Sequence, residues 1–194
     1  MQFPVTMNFK LLALTPQVTI TDANGQVVCF VKQKMFKLKE QITVFSDEGQ
    51  QQPIFGINAD KVLDFSARYR FTDSSGQEFG AVKRQGRKSI WKARYDVYRG
   101  EQVVATIQEK NPWVKVGDAL FSEIPVVGLL TGYVFNPSYE VVGSDGQVLV
   151  SITKKPSFTS RTFVIEQVGQ LDESMSVSTI LSTLMMVLRE RRRG

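Results

Sequence analysis

The sequence predicts a mainly β domain: a closed antiparallel barrel of about twelve strands enclosing a hydrophobic C-terminal α-helix. Two observations carry this. A strand–turn–strand motif with Gly in its turn and Lys near its end recurs along the chain, and the tract from Asp172 to Gly194 is apolar almost all round when wound as a helix. Eight strands make a barrel just wide enough for its own side chains. About twelve leave a lumen of helix width, roughly 10–12 Å, and eleven-stranded barrels around a central helix are known.

Taken in order, Phe9 to Leu14 reads as a first strand stopped by Thr15-Pro16. The motif follows as Val18 to Lys32 with its turn at Asp22-Ala-Asn-Gly25-Gln26. It returns as Tyr69 to Lys83, turning at Asp73-Ser-Ser-Gly76-Gln77, and as Tyr139 to Lys154, turning at Asp145-Gly146-Gln147. Looser copies run from Ile42 to Ile57, turning at Gly49-Gln50, and from Tyr95 to Ile107, turning at Gly100. Asp and Asn tie their side chains to nearby amides and start turns, and Gly supplies the positive φ a hairpin needs. The alternating Val, Ile, Tyr and Phe of the flanks suit half-buried strands. The turn glycines lie 24, 27, 24 and 46 residues apart, the last near two periods. Both a duplicated unit and a plain antiparallel meander give such spacing. Arg161 to Ile165 reads as the last strand, and five pairs plus two gives about twelve.

Two segments break the pattern. Asp118 to Phe135 carries few charges, is interrupted by Pro125, Gly128 and Gly132, and fills the place of one more hairpin. It reads as a degenerate hairpin or an apolar excursion packed on the core; the sharper reading is an exposed apolar loop, Ala119 to Phe135, that enters a membrane, or through which a soluble interaction module docks a protein partner or dimerises. In the C-terminal tract, Asp172 or Ser174 can cap a helix of about residues 172–190. Met175, Val177, Ile180, Leu181, Leu184, Met185, Met186, Val187 and Leu188 then cover most of its circumference. Such a helix belongs inside protein or lipid. Its apolar run falls short of the roughly 20 residues a bilayer span needs, so burial inside the barrel is expected. Arg189, Arg191, Arg192 and Arg193 suit the negative helix C-terminus.

Composition bounds the function. The 194 residues fit one domain, 1–194, with 42% hydrophobic content and a net charge of +5. A pI near 9.3 favours an anionic partner, lipid headgroups before nucleic acid. No His is present, which removes Ser-His-Asp and Cys-His catalysis and His-ligated zinc. The one Cys, Cys29, sits mid-strand among Val28, Phe30 and Val31 and reads as a buried inert thiol. No signal peptide is apparent at Met-Gln-Phe-Pro-Val, so a reducing, cytoplasmic setting is expected. Neither an enzyme nor a cofactor or metal site is expected.

The strand and turn Val18-Thr-Ile-Thr-Asp22-Ala-Asn-Gly25-Gln26-Val27-Val28 resembles the opening of the LURP-one-related proteins. Tyr69-Arg-Phe-Thr-Asp73-Ser-Ser-Gly76-Gln77 resembles their second signature, and the terminal apolar helix resembles theirs. The likeness covers roughly residues 9–188. It implies the tubby C-terminal-like fold, a twelve-stranded barrel around a hydrophobic C-terminal helix. Tubby-like domains bind phosphoinositides, and the related phospholipid scramblases are membrane-attached. This sequence lacks a Cys-rich palmitoylation segment, an acidic calcium-loop pattern and a separate transmembrane helix of the scramblase kind, so scramblase activity is not implied. No tubby-type phosphoinositide pocket matches residue by residue.

The densest basic stretch is Lys83-Arg84-Gln-Gly-Arg87-Lys88-Ser-Ile-Trp91-Lys92-Ala-Arg94-Tyr95. Lys83, Arg84, Arg87, Lys88, Trp91 and Lys92 form the candidate anion- or lipid-binding set, with Arg84, Arg87 and Lys88 crowding one barrel rim and Trp91 at an interface. The same set could follow a nucleic-acid backbone, and the bland alternative is a solvated loop with Trp91 in the core. Lys34 to Lys39 reads as an amphipathic strand. The strand-end lysines Lys32, Lys83 and Lys154 are expected to share one barrel end. Turn chemistry accounts for Asp22, Asp47, Asp73 and Asp145 without a carboxylate pair.

Overall fold

Twelve antiparallel strands close into a barrel in nearest-neighbour order, each pairing with its neighbours in sequence and β1 pairing with β12. They are β1 (Val5–Lys10), β2 (Gln17–Thr21), β3 (Val27–Lys32), β4 (Gln41–Phe45), β5 (Pro53–Ala59) and β6 (Arg68–Asp73), followed by β7 (Glu78–Arg84), β8 (Arg94–Arg99), β9 (Gln102–Glu109), β10 (Ser138–Gly143), β11 (Val148–Lys155) and β12 (Ser160–Gln167). One helix, α1 (Glu173–Glu190), follows. The computed structural model describes residues 1–10, 17–32, 41–61, 67–85, 94–110, 138–156 and 160–190. The Lys34–Lys39 strand and the 118–135 segment lie outside these residues.

The meander accounts for the repeat. β9 and β10 pair directly, so the ring closes with nothing inserted between them. The first strand begins earlier than the sequence reading places it. Val5, Met7 and Phe9 face the core while Thr6 and Asn8 alternate outward, and this run pairs with both β2 and β12. The last strand is likewise longer at both ends than Arg161 to Ile165.

The turns use the expected chemistry. Gly25 N donates to Asp22 O and Gly76 N to Asp73 O, both at 3.0 Å, and the residue at the end of each turn is left-handed, with φ of 75° and 86°. The Asp side chains hold these turns. Asp22 Oδ1 accepts from the amides of Asn24 and Gln26, and Asp73 Oδ1 from those of Ser75 and Gln77. In the β4–β5 turn the left-handed residue is Gln50 (φ 57°), one position after the expected Gly49, because the turn opens one residue later relative to its glycine. Gly49 N instead donates to Asp47 Oδ1 at 2.7 Å.

Each hairpin also carries a β-bulge in its second strand. The register skips Val28, Ile54, Phe79, Val104 and Leu149. All five extra residues are apolar and pack on the core. The Phe79 ring, for example, stands edge-on to Phe55 at 5.6 Å. A bulge increases local twist and re-aims a side chain; here it turns one extra apolar residue of each hairpin onto the core.

The helix fills the lumen. It enters at the hairpin end of the barrel, where Asp172 caps it: Asp172 Oδ1 accepts from Met175 N at 2.7 Å, and Ser176 Oγ donates to Asp172 O. Every residue from Thr179 to Leu188 is buried, polar ones included. Thr183 Oγ1 satisfies itself on Thr179 O at 2.8 Å. Burial of such apolar side chains is worth about 1.5–3 kcal/mol each, which makes the helix an integral part of the core. It packs most closely on β7 and β8, where Ser178 nests against Gly80. Cys29 is buried as expected, and burial pushes its thiol pKa up to about 12.

Candidate functional site

A meander gives the barrel two unlike ends. The five tight hairpins lie at one. The other, the connection end, receives the last residues of the odd-numbered strands and the first residues of the even-numbered ones. Among the described residues, charge divides between them. The hairpin end holds Asp22, Asp47, Glu48, Asp73, Glu78, Glu101 and Asp145, with Glu166, Asp172 and Glu173 beside them. Four of these acids are paired: Glu48 with Lys10, Glu78 with Arg70, Glu101 with Arg68 and Asp172 with Arg99.

The connection end holds most of the exposed lysines, with Asp60 and Glu140 among them. Lys10, Lys32, Lys61, Lys83, Arg94, Lys110 and Lys155 are exposed there, and Lys154 and Arg161 are half-buried. Some are engaged: Lys10 pairs with Glu48 at 3.6 Å, Lys110 with Glu140 at 3.1 Å, and Arg94 Nη2 donates to Gln108. Lys32, Lys61, Lys83, Lys155 and Arg161 have no ion-pair partner among the described residues. Lys32, Lys83 and Lys154 share this end, as the sequence reading expects, because β3, β7 and β11 all run toward it.

A polar layer lines the lumen just inside the same end. Tyr69, Arg84, Tyr95, Glu109, Tyr139 and Arg189 are all buried. Tyr95 lies opposite Arg84 and Tyr139 opposite Glu109 in the register. Arg189, near the helix C-terminus, donates through Nη1 to the Tyr69 hydroxyl at 2.9 Å and lies 5.2 Å from the centre of that ring. A cation suits the negative end of the helix dipole.

The residues singled out from sequence therefore separate. Lys83 is exposed on the outer face and Arg84 is buried in the lumen, because adjacent strand residues point to opposite faces. Arg87, Lys88, Trp91 and Lys92 lie outside the described residues. Sequence reasoning missed the inner layer. Its signal was the period of two, which puts Arg84 in line with Val82 and Gly80, and Glu109 in line with Ile107 and Ala105.

The outer face of β6 to β9 carries a second polar arrangement. Arg68 donates to Glu101 and to the Gly100 carbonyl, and its guanidinium stacks 4.4 Å from the centre of the Tyr98 ring. Burial, then the nearby Asp96 carboxylate, raises the Tyr98 pKa. These contacts tie β6 to the β8–β9 turn and read as structural.

The family model for the LURP-one-related proteins matches residues 27–181, from β3 into α1. The chain belongs to the LURP-one-related family. Among solved structures, this LURP-one-related barrel is similar to an X-ray structure of a protein from Arabidopsis thaliana, at 16% identity and a TM-score of 0.49. The likeness covers 95% of this chain and 91% of that one. The comparison with curated proteins gave no match. Among the described residues of the LURP-one-related chain, no helix is long and apolar enough to cross a membrane.

Proposed function

We propose that this LURP-one-related protein is a non-enzymatic barrel that docks its connection end on an anionic lipid surface and works as a membrane-associated module in the cytoplasm. The observation that carries this reading is the division of charge between the two barrel ends. The net charge of the whole chain, +5, is modest, but the exposed lysines of the described residues stand on strand ends at one barrel end, while most of the described acids lie at the other. An anionic surface attracts nearby Lys or Arg by about 1 kcal/mol each, so a handful of exposed cations is enough for reversible attachment. Such an arrangement suits a flat surface of spaced headgroups better than a groove-following nucleic-acid backbone. The superfamily resemblance, which implies lipid chemistry, agrees.

Flotation with phosphatidylcholine vesicles, with and without phosphatidylserine, tests the proposal. The protein floats with the anionic vesicles at low salt and is released at high salt. Reversing Lys32, Lys83 and Lys155 to Glu removes three attractions of about 1 kcal/mol each and adds repulsion, weakening binding by more than about a hundredfold. Failure of the unaltered protein to float at low salt would sink the proposal.

A further inference from the structure

A cavity of about 200 Å³ lies between the helix and the barrel wall at the β2–β3 and β4–β5 hairpins. We propose that it binds a slim, uncharged hydrocarbon, the end of a single alkyl or acyl chain. Its origin is mechanical. The helix leans toward β7 and β8, where Ser178 meets Gly80, so the opposite helix face, with Ile180 and Leu181, stands off the wall. The wall is also thinly paired there, since among the described residues β3 and β4 share a single pair of facing residues, Phe30 and Phe45. Two of the bulged residues, Val28 and Ile54, line the gap from the barrel side.

The chemistry selects the occupant. The lining is apolar side chains and the Cys29 thiol, which is uncharged. A buried water needs 2–4 polar partners, whereas an apolar cavity of about 150 Å³ stays dry and takes up benzene or xenon. Met1 lines its outer side; the side chain is flexible and the residue is 51% exposed. The next residue, Gln2, is anchored, its carbonyl accepting from Ala23 N at 3.0 Å. The lining offers a carboxylate no polar side-chain partner, which disfavours a charged group inside the cavity. The site opens at the hairpin end and stands independently of lipid docking at the other end.

Methyl NMR with 1-hexanol and with hexanoate tests it. Hexanol shifts the Ile54, Ile180 and Leu181 methyl signals saturably and leaves those of Ile107 and Ile165 in place. Hexanoate binds at least about tenfold more weakly, because its carboxylate would lose water against apolar walls. Val28→Phe and Ile54→Phe each fill the space and reduce hexanol affinity by about tenfold or more, while keeping the barrel's remote methyl spectrum. If one filler does not fold, the other decides. Absence of a saturable shift, shifts spread evenly over the barrel, or unchanged affinity in the folded fillers would overturn the assignment.

Discussion

Arg99 grips Asp172 with both contacts from one nitrogen, Nη2 to Oδ2 at 2.7 Å and to Oδ1 at 3.0 Å, and so ties the β8–β9 hairpin to the first turn of the buried helix. Asp172 is also the helix cap. The two roles differ in weight. Both side chains are about half exposed, and an exposed pair contributes about 0–1 kcal/mol. Loss of a cap costs about 0.5–2 kcal/mol.

The cap and the ion pair can be separated by substitution and pH. The Met175 N–H, then Arg99, holds the Asp172 carboxyl below its usual range. A carboxyl with a depressed folded pKa stabilises the fold above its unfolded value, about 3.9, and that contribution is lost as pH falls through the folded value. Asp172→Asn, which still caps well, destabilises by less than about 1 kcal/mol near neutrality, and Asp172→Ala by more. In urea titrations the difference between wild type and Asp172→Asn narrows as pH is lowered below about 4. A difference that stays constant with pH would show that the charge contributes nothing.

Gly80 and Ser178 set the position of the helix. A Cβ on Gly80 would lie 2.7 Å from Ser178 Oγ and 3.3 Å from the Tyr98 carbonyl oxygen. Replacing Gly by Ala at an unstrained position gains about 0.4–1 kcal/mol through the unfolded chain, but overpacking costs about 1–3 kcal/mol, so Gly80→Ala is destabilising. In a Ser178→Ala background the nearest obstacle is gone and the penalty falls. A double-mutant cycle by urea denaturation gives a coupling of about 1 kcal/mol. Additivity would mean that Ser178 Oγ rotates away freely and that the helix is placed by other contacts.

The fold was legible because its signals are local. Asp22 with Gly25 and Asp73 with Gly76 each fold a turn from residues within reach of one another, and counting turns counts strands. The helix announced itself by having no polar face large enough for solvent. The candidate site was less legible. Density along the chain grouped Lys83 with Arg84, yet the pleat sends one to solvent and the other to the lumen. The gathering of Lys32, Lys83 and Lys155 opposite Asp22, Asp73 and Asp145 depends on ring closure, which no short window contains. The bulges at Val28 and Ile54 were hidden because one extra apolar residue looks like an ordinary continuation of an apolar strand.

The repeat itself supplies the last prediction. Four hairpins place Gly at the left-handed turn position, at Gly25, Gly76, Gly100 and Gly146, and the fifth places Gln50 there. A left-handed conformation costs a residue with a Cβ about 1–2 kcal/mol, against the roughly 0.5–1 kcal/mol of extra backbone freedom that Gly must lose. The first term is larger, so Gln50→Gly stabilises the protein by about 0.5–1 kcal/mol. What is given up is small, since the Gln50 side chain reaches only the Glu48 carbonyl, at 3.5 Å on the surface. The converse change, Gly76→Ala, puts a Cβ into open space but at φ 86°, so its cost of about 1 kcal/mol is conformational and not steric. Urea midpoints for the two variants should therefore move in opposite directions with unchanged slope. A Gln50→Gly midpoint at or below that of the wild type would mean that the β4–β5 turn is held by Asp47 and Gly49 strongly enough to make residue 50 irrelevant.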